Sequence, residues 1–570
     1  MGPRRASVAP DQRARGLTDA ILFINGHSKV NFPKVLDGYP IMSSTPCNTE
    51  APVPLLPSRP QEEKAAPAEK HTYGQILKSS ALIGGSSVLK IGIGMVRTKA
   101  MAVLLGPSGV GLIGLYGSLI DLAQNIAGMG VNSSGVRQIA EAVGSGDGEK
   151  IARTATVLRR TAVILGALGA ALLVVFCSAI SGWTFGTSEH SAAIAWLAIA
   201  VFFGAVAGGQ TALIQGMRRI ADLAKMGILG GIYGTIIGVA LVYFFGERGI
   251  VPSLIAIAGM SVLMSWWFSR RVKFKPPVLS AFQVRNEVAG LLKLGFAFMA
   301  SSLFILGAGY IVRILVLRKI GLEAAGLYQA SWYFGVTYVG LILQAMGADF
   351  YPRLTGAAGN HTDCNRLVNE QAQVSLLLAG PGVIATLTFA PLLITLLYSA
   401  KFYAAVPLLR WICLGATLQV ITWPMGFIIV AKGRPSVFFW CELAYTSVYI
   451  ALAWLCIRYF GLNGSGMAFF GSYVFHGLLV YPIVRWLTGF RWSASNRRVG
   501  LFFLGSIGLV FGSFYLLPFW ASTTVGTLAA MVSGIYSLRT LCKLVSLHRA
   551  PRFVQRLLVG CRLAPAGPEQ

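Results

Sequence analysis

The chain has 570 residues, 55% of them hydrophobic and only 12% charged, whereas a soluble globular chain carries about 25% charged residues. Water is therefore not its main solvent, and the bilayer is. A net charge of +27 would suit nucleic acid if Lys and Arg clustered on one polar face, but they lie between long apolar runs, which is the pattern of membrane topology. Eight cysteines are scattered singly, with no CxxC pair and no His/Cys metal spacing, so they read as small packing residues.

Residues 1–72 are Pro-rich and mixed in charge. Their one apolar run, Ala20 to Ile24, is too short for a signal-peptide core and far too short to span. This segment reads as a disordered cytosolic tail or an over-extended gene start. A spanning helix needs about 20 mostly apolar residues. In chain order such windows fall at 78–101, 110–130, 157–181, 191–217, 226–246, 249–268, 294–317, 326–348, 372–397, 405–430, 437–457, 463–484, 499–519 and 522–538. The expected fold class is an all-α polytopic membrane protein of about 14 transmembrane helices. With the N-terminus inside, the cytosolic loops hold 22 Lys and Arg and the outward loops five, which sets both termini in the cytosol. The basic residues of 541–570, interleaved with apolar ones, read as an interfacial segment on anionic lipids.

The chain repeats at an offset of 215: Ser86 and Ser87 fall on Ser301 and Ser302, Gly92 on Gly307, Gly94 on Gly309, Gly106 on Gly321, and Gly111-Leu112 on Gly326-Leu327. Arg219 falls on Arg434, Phe245-Gly246 on Phe460-Gly461, and Gly249 on Gly464. Two distant matches argue for two six-helix lobes. Six is even, so the repeat is parallel, with a pseudo-twofold axis along the membrane normal and a cavity at the interface. The expected division is a tail at 1–72, an N-lobe at 73–280, a C-lobe at 281–490, two extra helices at 491–540 and a basic cytosolic tail at 541–570.

The stretch Lys90-Ile-Gly-Ile-Gly94 to Lys99, followed by Leu105-Gly-Pro-Ser-Gly-Val-Gly-Leu112, resembles the first-helix signature of Wzx-type O-antigen and enterobacterial-common-antigen translocases. These form the polysaccharide-transport branch of the multidrug/oligosaccharidyl-lipid/polysaccharide flippase superfamily. Ile428 to Arg434 and Phe460 to Ala468 resemble the same proteins, and the likeness covers about 75–490. The resemblance implies two six-helix lobes, alternating access, and a polyprenyl-diphosphate-linked glycan as cargo, an O-antigen or exopolysaccharide repeat unit moved to the outer leaflet of a bacterial inner membrane. It further implies a polysaccharide polymerase and a chain-length regulator as partners, no cofactor, and proton or sodium coupling. A multidrug antiporter and a peptidoglycan-precursor flippase of the same superfamily are the alternatives.

A charge at the bilayer centre costs about 2.5–3.5 kcal/mol, so intramembrane ionisable residues are functional candidates. Helix 1 carries Lys90, Arg97 and Lys99, the first two on one face seven residues apart, and helix 7 carries Arg313, which the repeat places opposite Thr98. The spans offer only Asp121 and Glu442 as acids. That balance is electropositive and suits a diphosphate. Two readings stay open for Arg97, Lys99 and Arg313, cargo binding or snorkelling from a helix end; for Lys90 the deeper position favours binding. Asp121, Asn125, Gly128 and Asn132 make one polar, small stripe along helix 2, either a sugar-facing or coupling surface or a packing seam. Glu442 reads as a head-group contact and His476 as a packing residue. Outward loops too short for a glycosyltransferase or polymerase, and the absence of triad, metal spacing or P-loop patterns, argue against an enzyme.

Overall fold

A computed structural model describes residues 67–272 and 280–544, and all of its regular structure there is helical. Of the expected tails at 1–72 and 541–570, residues 1–66 and 545–570 lie outside the described residues, while 67–72 begin the first helix and 541–544 end the last, so both helices extend beyond the expected bounds. The first helical run, α1 (Pro67–Gly128), is not one span: Gly106 sits at φ 67, ψ −168, a conformation open essentially to glycine alone, and divides it into two arms. It is followed by α2 (Val131–Gly144), α3 (Gly148–Val175), α4 (Cys177–Phe185), α5 (Ser191–Gly216), α6 (Ile220–Phe245) and α7 (Ile250–Ser269). The second half begins with α8 (Ala281–Lys319), α9 (Leu322–Gly356), α10 (His361–Thr388), α11 (Ala390–Leu397), α12 (Val406–Ala431), α13 (Pro435–Phe460) and α14 (Leu462–Thr488); α15 (Ala494–Leu516) and α16 (Phe519–Leu544) close the chain.

Every predicted window coincides with helix. By length and hydropathy alone ten segments among the described residues qualify as spans, or eleven with the bent 282–319 pair. The count differs from fourteen because two of the ten, Gly85–Gly128 and Ile220–Ser269, each contain a backbone break, and because α9, whose apolar residues are interspersed with Tyr, Trp, Gly and two Gln, is not among the qualifying segments. The surface is the reverse of a soluble protein's: Val88, Ile164, Leu478, Leu501 and Leu516 are among many exposed apolar side chains, as a bilayer-solvated bundle requires. Exposed tryptophans girdle both ends, Trp183 and Trp520 at the end where Gly106 lies, and Trp266, Trp440 and Trp486 at the opposite end.

Local chemistry sets the helix ends. Asp147 accepts from the backbone N–H groups of Glu149 and Lys150 (2.9 and 3.1 Å) to start α3. Asn360 accepts from Thr362 and Asp363 (2.9 and 3.4 Å) to start α10, and Ser280 with Gln283 makes a capping box at α8.

The repeat is written into the backbone. Gly321, the partner of Gly106, has φ 124 and ψ 176. Gly246 and Gly461 share φ near 57 with ψ −133 and −137. Arg218 and Gly433 both take positive φ, 56° and 65°. An added Cβ at Gly249 would meet the Leu241 carbonyl, and one at Gly464 the Cys456 carbonyl, again the same pair 215 apart. Helix contacts repeat too: α3 packs on α5 as α10 on α12, α5 on α7 as α12 on α14, and α6 on α7 as α13 on α14. The pseudo-axis passes between Gly111 and Gly326, equivalent residues that meet backbone to backbone. Helices α15 and α16 lie outside the repeat and pack on α10.

The halves also touch at both ends. At the Gly106 end Thr184 and Tyr310 share a hydrogen bond (2.6 Å) and Arg318 donates to the carbonyls of Thr184 and Gly182. At the opposite end Arg153 pairs with Glu287 (3.0 Å) and Gly130 meets Gly295.

Candidate functional site

Between α1, α5, α7 and α9 lies a cavity of about 550 Å³. Glycine and alanine keep it open: Gly117 on α1, Gly204, Ala207 and Gly208 on α5, and Ala258 on α7 all line it. Its polar groups include Arg97, Thr98, Asp121, Gln124, Thr211, Ser261, Gln329 and Tyr333. Arg97 is within electrostatic range of Tyr333. No carboxylate pairs with Arg97 within ion-pair distance among the described residues. Gln124 donates to the Ala200 carbonyl at 3.3 Å, tying the second arm of α1 to α5.

Arg313 stands in the wall. Its Nε donates to Gln329 Oε1 (3.1 Å), its Nη1 to the Gly309 carbonyl (3.0 Å), and its guanidinium carbon lies 5.6 Å from the Tyr328 ring centre. Asp121 is within its electrostatic range. So Arg313 is held inside the bundle and does not reach for head groups.

On its far side is a second cavity of about 350 Å³, formed by α8, α9, α12, α13 and α14. It is the same cavity in the other lobe. At the 215 offset Gly117 becomes Trp332, Asp121 becomes Val336, Gly204 becomes Gln419, Gly208 becomes Trp423, Leu254 becomes Phe469, Ala258 becomes Tyr473 and Ser261 becomes His476, and every one of these lines its own lobe's cavity. Aromatic side chains take up the room that glycine and alanine leave in the first lobe, which is why the second cavity is smaller.

The expected site residues divide. Arg97 and Asp121 line the first cavity and Arg313 bounds it. Lys90 does not: its ammonium lies against Gly227 of α6, so the shared face of Lys90 and Arg97 does not bring both into the cavity. Lys99 does not either, because it donates to the Thr395 carbonyl across to α11 (3.4 Å). The stripe through Asn125 and Asn132 is broken by positive φ at Met129 (44°) and Gly130 (66°). Asn125 Oδ1 is buried without a partner, and Asn132 packs on Gly208 from the start of α2, behind the cavity wall. Glu442 and His476 line the second cavity, where the His476 ring packs edge-on against Tyr445 and Tyr473 (ring centres 5.2 and 6.0 Å apart). Gln124, Gln329 and Tyr333 went unnoticed because a neutral polar residue in a span carries little signal; the offset pairs Gln329 with Gly114, which it touches, and that is the sequence clue that would have found it.

Residues 100–407 match the family described as Polysaccharide biosynthesis protein. The chain belongs to that family. A polysaccharide biosynthesis protein of this kind is a multi-pass membrane protein, and several curated relatives are named as flippases, while one from Bacillus subtilis is named as a teichuronic acid biosynthesis protein. The lipid III flippase of Escherichia coli is 24% identical over 70% of this chain and 95% of its own length, and a probable low-salt glycan biosynthesis flippase of Haloferax volcanii is 21% identical over 69% and 80%. Among solved structures, the lipid II flippase MurJ in an inward closed conformation superposes with a TM-score of 0.63 at 13% identity, covering 81% of this chain and 99% of that one. An inward-facing multidrug-resistance MATE transporter of the MOP superfamily gives 0.58 at 15% identity, over 70% and 95%. Family and fold thus place the chain among polysaccharide flippases, which carry cargo and catalyse no covalent reaction.

Proposed function

We propose that the chain flips a polyprenyl-diphosphate-linked oligosaccharide repeat unit, an O-antigen or exopolysaccharide precursor, from the cytosolic to the outer leaflet of a bacterial inner membrane by alternating access. The observation that carries this reading is the Arg97 guanidinium in the first cavity, with no carboxylate partner among the described residues, and Arg313 hydrogen-bonded into the adjoining wall. A diphosphate entering the bilayer must replace its hydration, and a guanidinium offers a planar fork of donors that matches phosphate oxygens. The small residues around it leave space for a head group, and Gln124, Thr211, Ser261 and Gln329 offer donors and acceptors to sugar hydroxyls. Asp121, facing the same space and within range of Arg313, is the group we assign to proton or sodium coupling: cargo anion and Asp121 would compete for the arginines, and a cation on Asp121 would relieve the competition. Lys90 and Lys99, one at the α6 interface and the other at the Gly106 end, serve cargo only along its approach. The names of the relatives support the cargo class, and a polymerase, a chain-length regulator and anionic lipids complete the proposed setting.

The test is reconstitution in liposomes containing a fluorescent polyprenyl-diphosphate oligosaccharide, with exposure read by an impermeant quencher. Loss of a hydrogen bond to a charged group costs about 1.5–3 kcal/mol, so Arg97→Ala should slow exposure about ten- to hundredfold. Asp121→Asn should abolish its response to a proton or sodium gradient. Wild-type protein that moves no such lipid but exports cationic dyes would overturn the proposal.

A further inference from the structure

The two cavities are built at equivalent positions but differ in charge: Arg97 and Asp121 both line the first, whereas the second is lined by Glu442 with no Lys or Arg. In the first lobe the interface between the first helix arm and α6 carries a cation, Lys90 against Gly227. At the equivalent interface of the second lobe, between α8 and α13, Lys90 is replaced by Ile305 and Gly227 by Glu442, and both line the cavity. No cation stands within ion-pair distance of Glu442 among the described residues. Two further groups in that cavity have no hydrogen-bond partner among the described residues: Gln419 Oε1, and Nδ1 of His476, a residue only 9% exposed. A carboxylate, an amide oxygen and an imidazole nitrogen are acceptors, or able to accept, so what would satisfy them is a donor. The remaining wall is aromatic, with Trp332, Trp423, Tyr445 and Phe469 among its faces. Aromatic faces attract a cation through their quadrupole, most strongly where water is excluded. A metal ion does not suit this wall, since it would ask for several oxygen ligands, and no group of three or more His, Cys, Asp or Glu that could hold one occurs among the described residues.

Access is lateral. A surface cleft of about 720 Å³ shares Phe304, Val430, Phe438 and Glu442 with the cavity and runs out to the exposed rings of Phe439 and Trp440. Glu442 therefore stands where the two meet. A ligand dissolved in the head-group region, with an apolar body and one charged end, could enter by this cleft.

We propose that the second-lobe cavity is a binding site for an amphipathic organic ammonium ion, whose N–H groups bond Glu442 and Gln419 and whose apolar body lies among the aromatic rings. The site is distinct from the anion-facing cavity of the first lobe and does not depend on the flippase reading. The probe is 2-(1-naphthyl)ethylammonium, compared with its neutral isostere 2-(1-naphthyl)ethanol, each titrated into the purified full-length chain in detergent. Binding is read by calorimetry and by quenching of tryptophan emission, to which Trp332 and Trp423 contribute.

The ammonium should bind about tenfold or more tighter than the alcohol, and Glu442→Gln should erase that preference. Gln419→Leu should weaken the ammonium while sparing the alcohol, and Arg97→Ala, in the other cavity, should leave both unchanged. Equal affinity for ammonium and alcohol in the wild type, or ammonium binding untouched by both Glu442→Gln and Gln419→Leu, overturns the proposal. So does saturable competition by sodium ions with no ammonium binding. Failure here leaves the lipid-exposure assay unaffected, and failure of that assay leaves this titration unaffected, so the two can be told apart.

Discussion

At the scale of single residues, placement relative to a cavity decides what a charge can do. Arg97, Lys99 and Lys90 lie within ten residues on one arm, yet one faces the cavity, one reaches α11 and one rests on α6. A pH-sensitive residue stands just before α5. His190 stacks on Phe185 with ring centres 3.9 Å apart and shares a hydrogen bond with the Tyr116 hydroxyl through Nδ1 (2.9 Å). Burial pulls its pKa below the ordinary 6.5, with Glu189 opposing in part. The unfolded chain therefore takes up this proton before the folded one does. Stability from the neutral ring is present above about pH 6.5 and is lost as pH falls through that value toward the folded pKa. Thermal unfolding followed from about pH 7.5 down to about pH 5.5 should show the wild type losing stability faster than His190→Phe. Parallel slopes would show that His190 contributes nothing to the pH response.

At the scale of elements, glycine positions divide into those the backbone needs and those it does not. Gly106 and Gly321 hold equivalent breaks that end one span and begin the next. Alanine at either should cost about 1–3 kcal/mol, because a Cβ disfavours that backbone region. Gly505→Ala, within α15 and facing open space, should be neutral or slightly stabilising. A thermal-shift comparison in detergent ranks the three, and a Gly106→Ala protein that melts with the wild type would remove the argument. Gly326 is stricter still: an added Cβ runs into the Pro107 carbonyl of the other lobe, so Gly326→Ala must separate the helices at the pseudo-axis.

At the scale of the whole molecule, the lobes touch at both ends, and alternating access requires that one contact open while the other holds. Arg153→Cys with Glu287→Cys, joined by a short bismaleimide in a cysteine-depleted background, ties the end where those two form an ion pair (3.0 Å). Thr184→Cys with Tyr310→Cys ties the other end, where the native hydroxyls are 2.6 Å apart. Cross-linking at either end should stop lipid exposure in liposomes, while unlinked double variants keep most of it. Continued exposure with an end tied would mean that cargo crosses without lobe rocking.

The chain itself determined the solvent, the helices and the repeat. Apolar runs of spanning length can be satisfied in a bilayer only by helix, and glycines needed for positive φ recur at a fixed offset, so Gly106 with Gly321 and Gly246 with Gly461 were legible as a duplication before any coordinates. Tertiary structure alone decided which intramembrane charges share a space. Helical periodicity puts Lys90 and Arg97 on one face, but which neighbour that face meets at each depth depends on helix crossing, and the crossing turns on side-chain volumes from distant parts of the chain. The same limit hid the second cavity: Glu442 and His476 are 34 residues apart on neighbouring helices, and their convergence with Gln419 follows from the packing of α12, α13 and α14. The difference in charge between two equivalent cavities is thus a property of the fold acting on a diverged repeat, visible only when both lobes are seen at once.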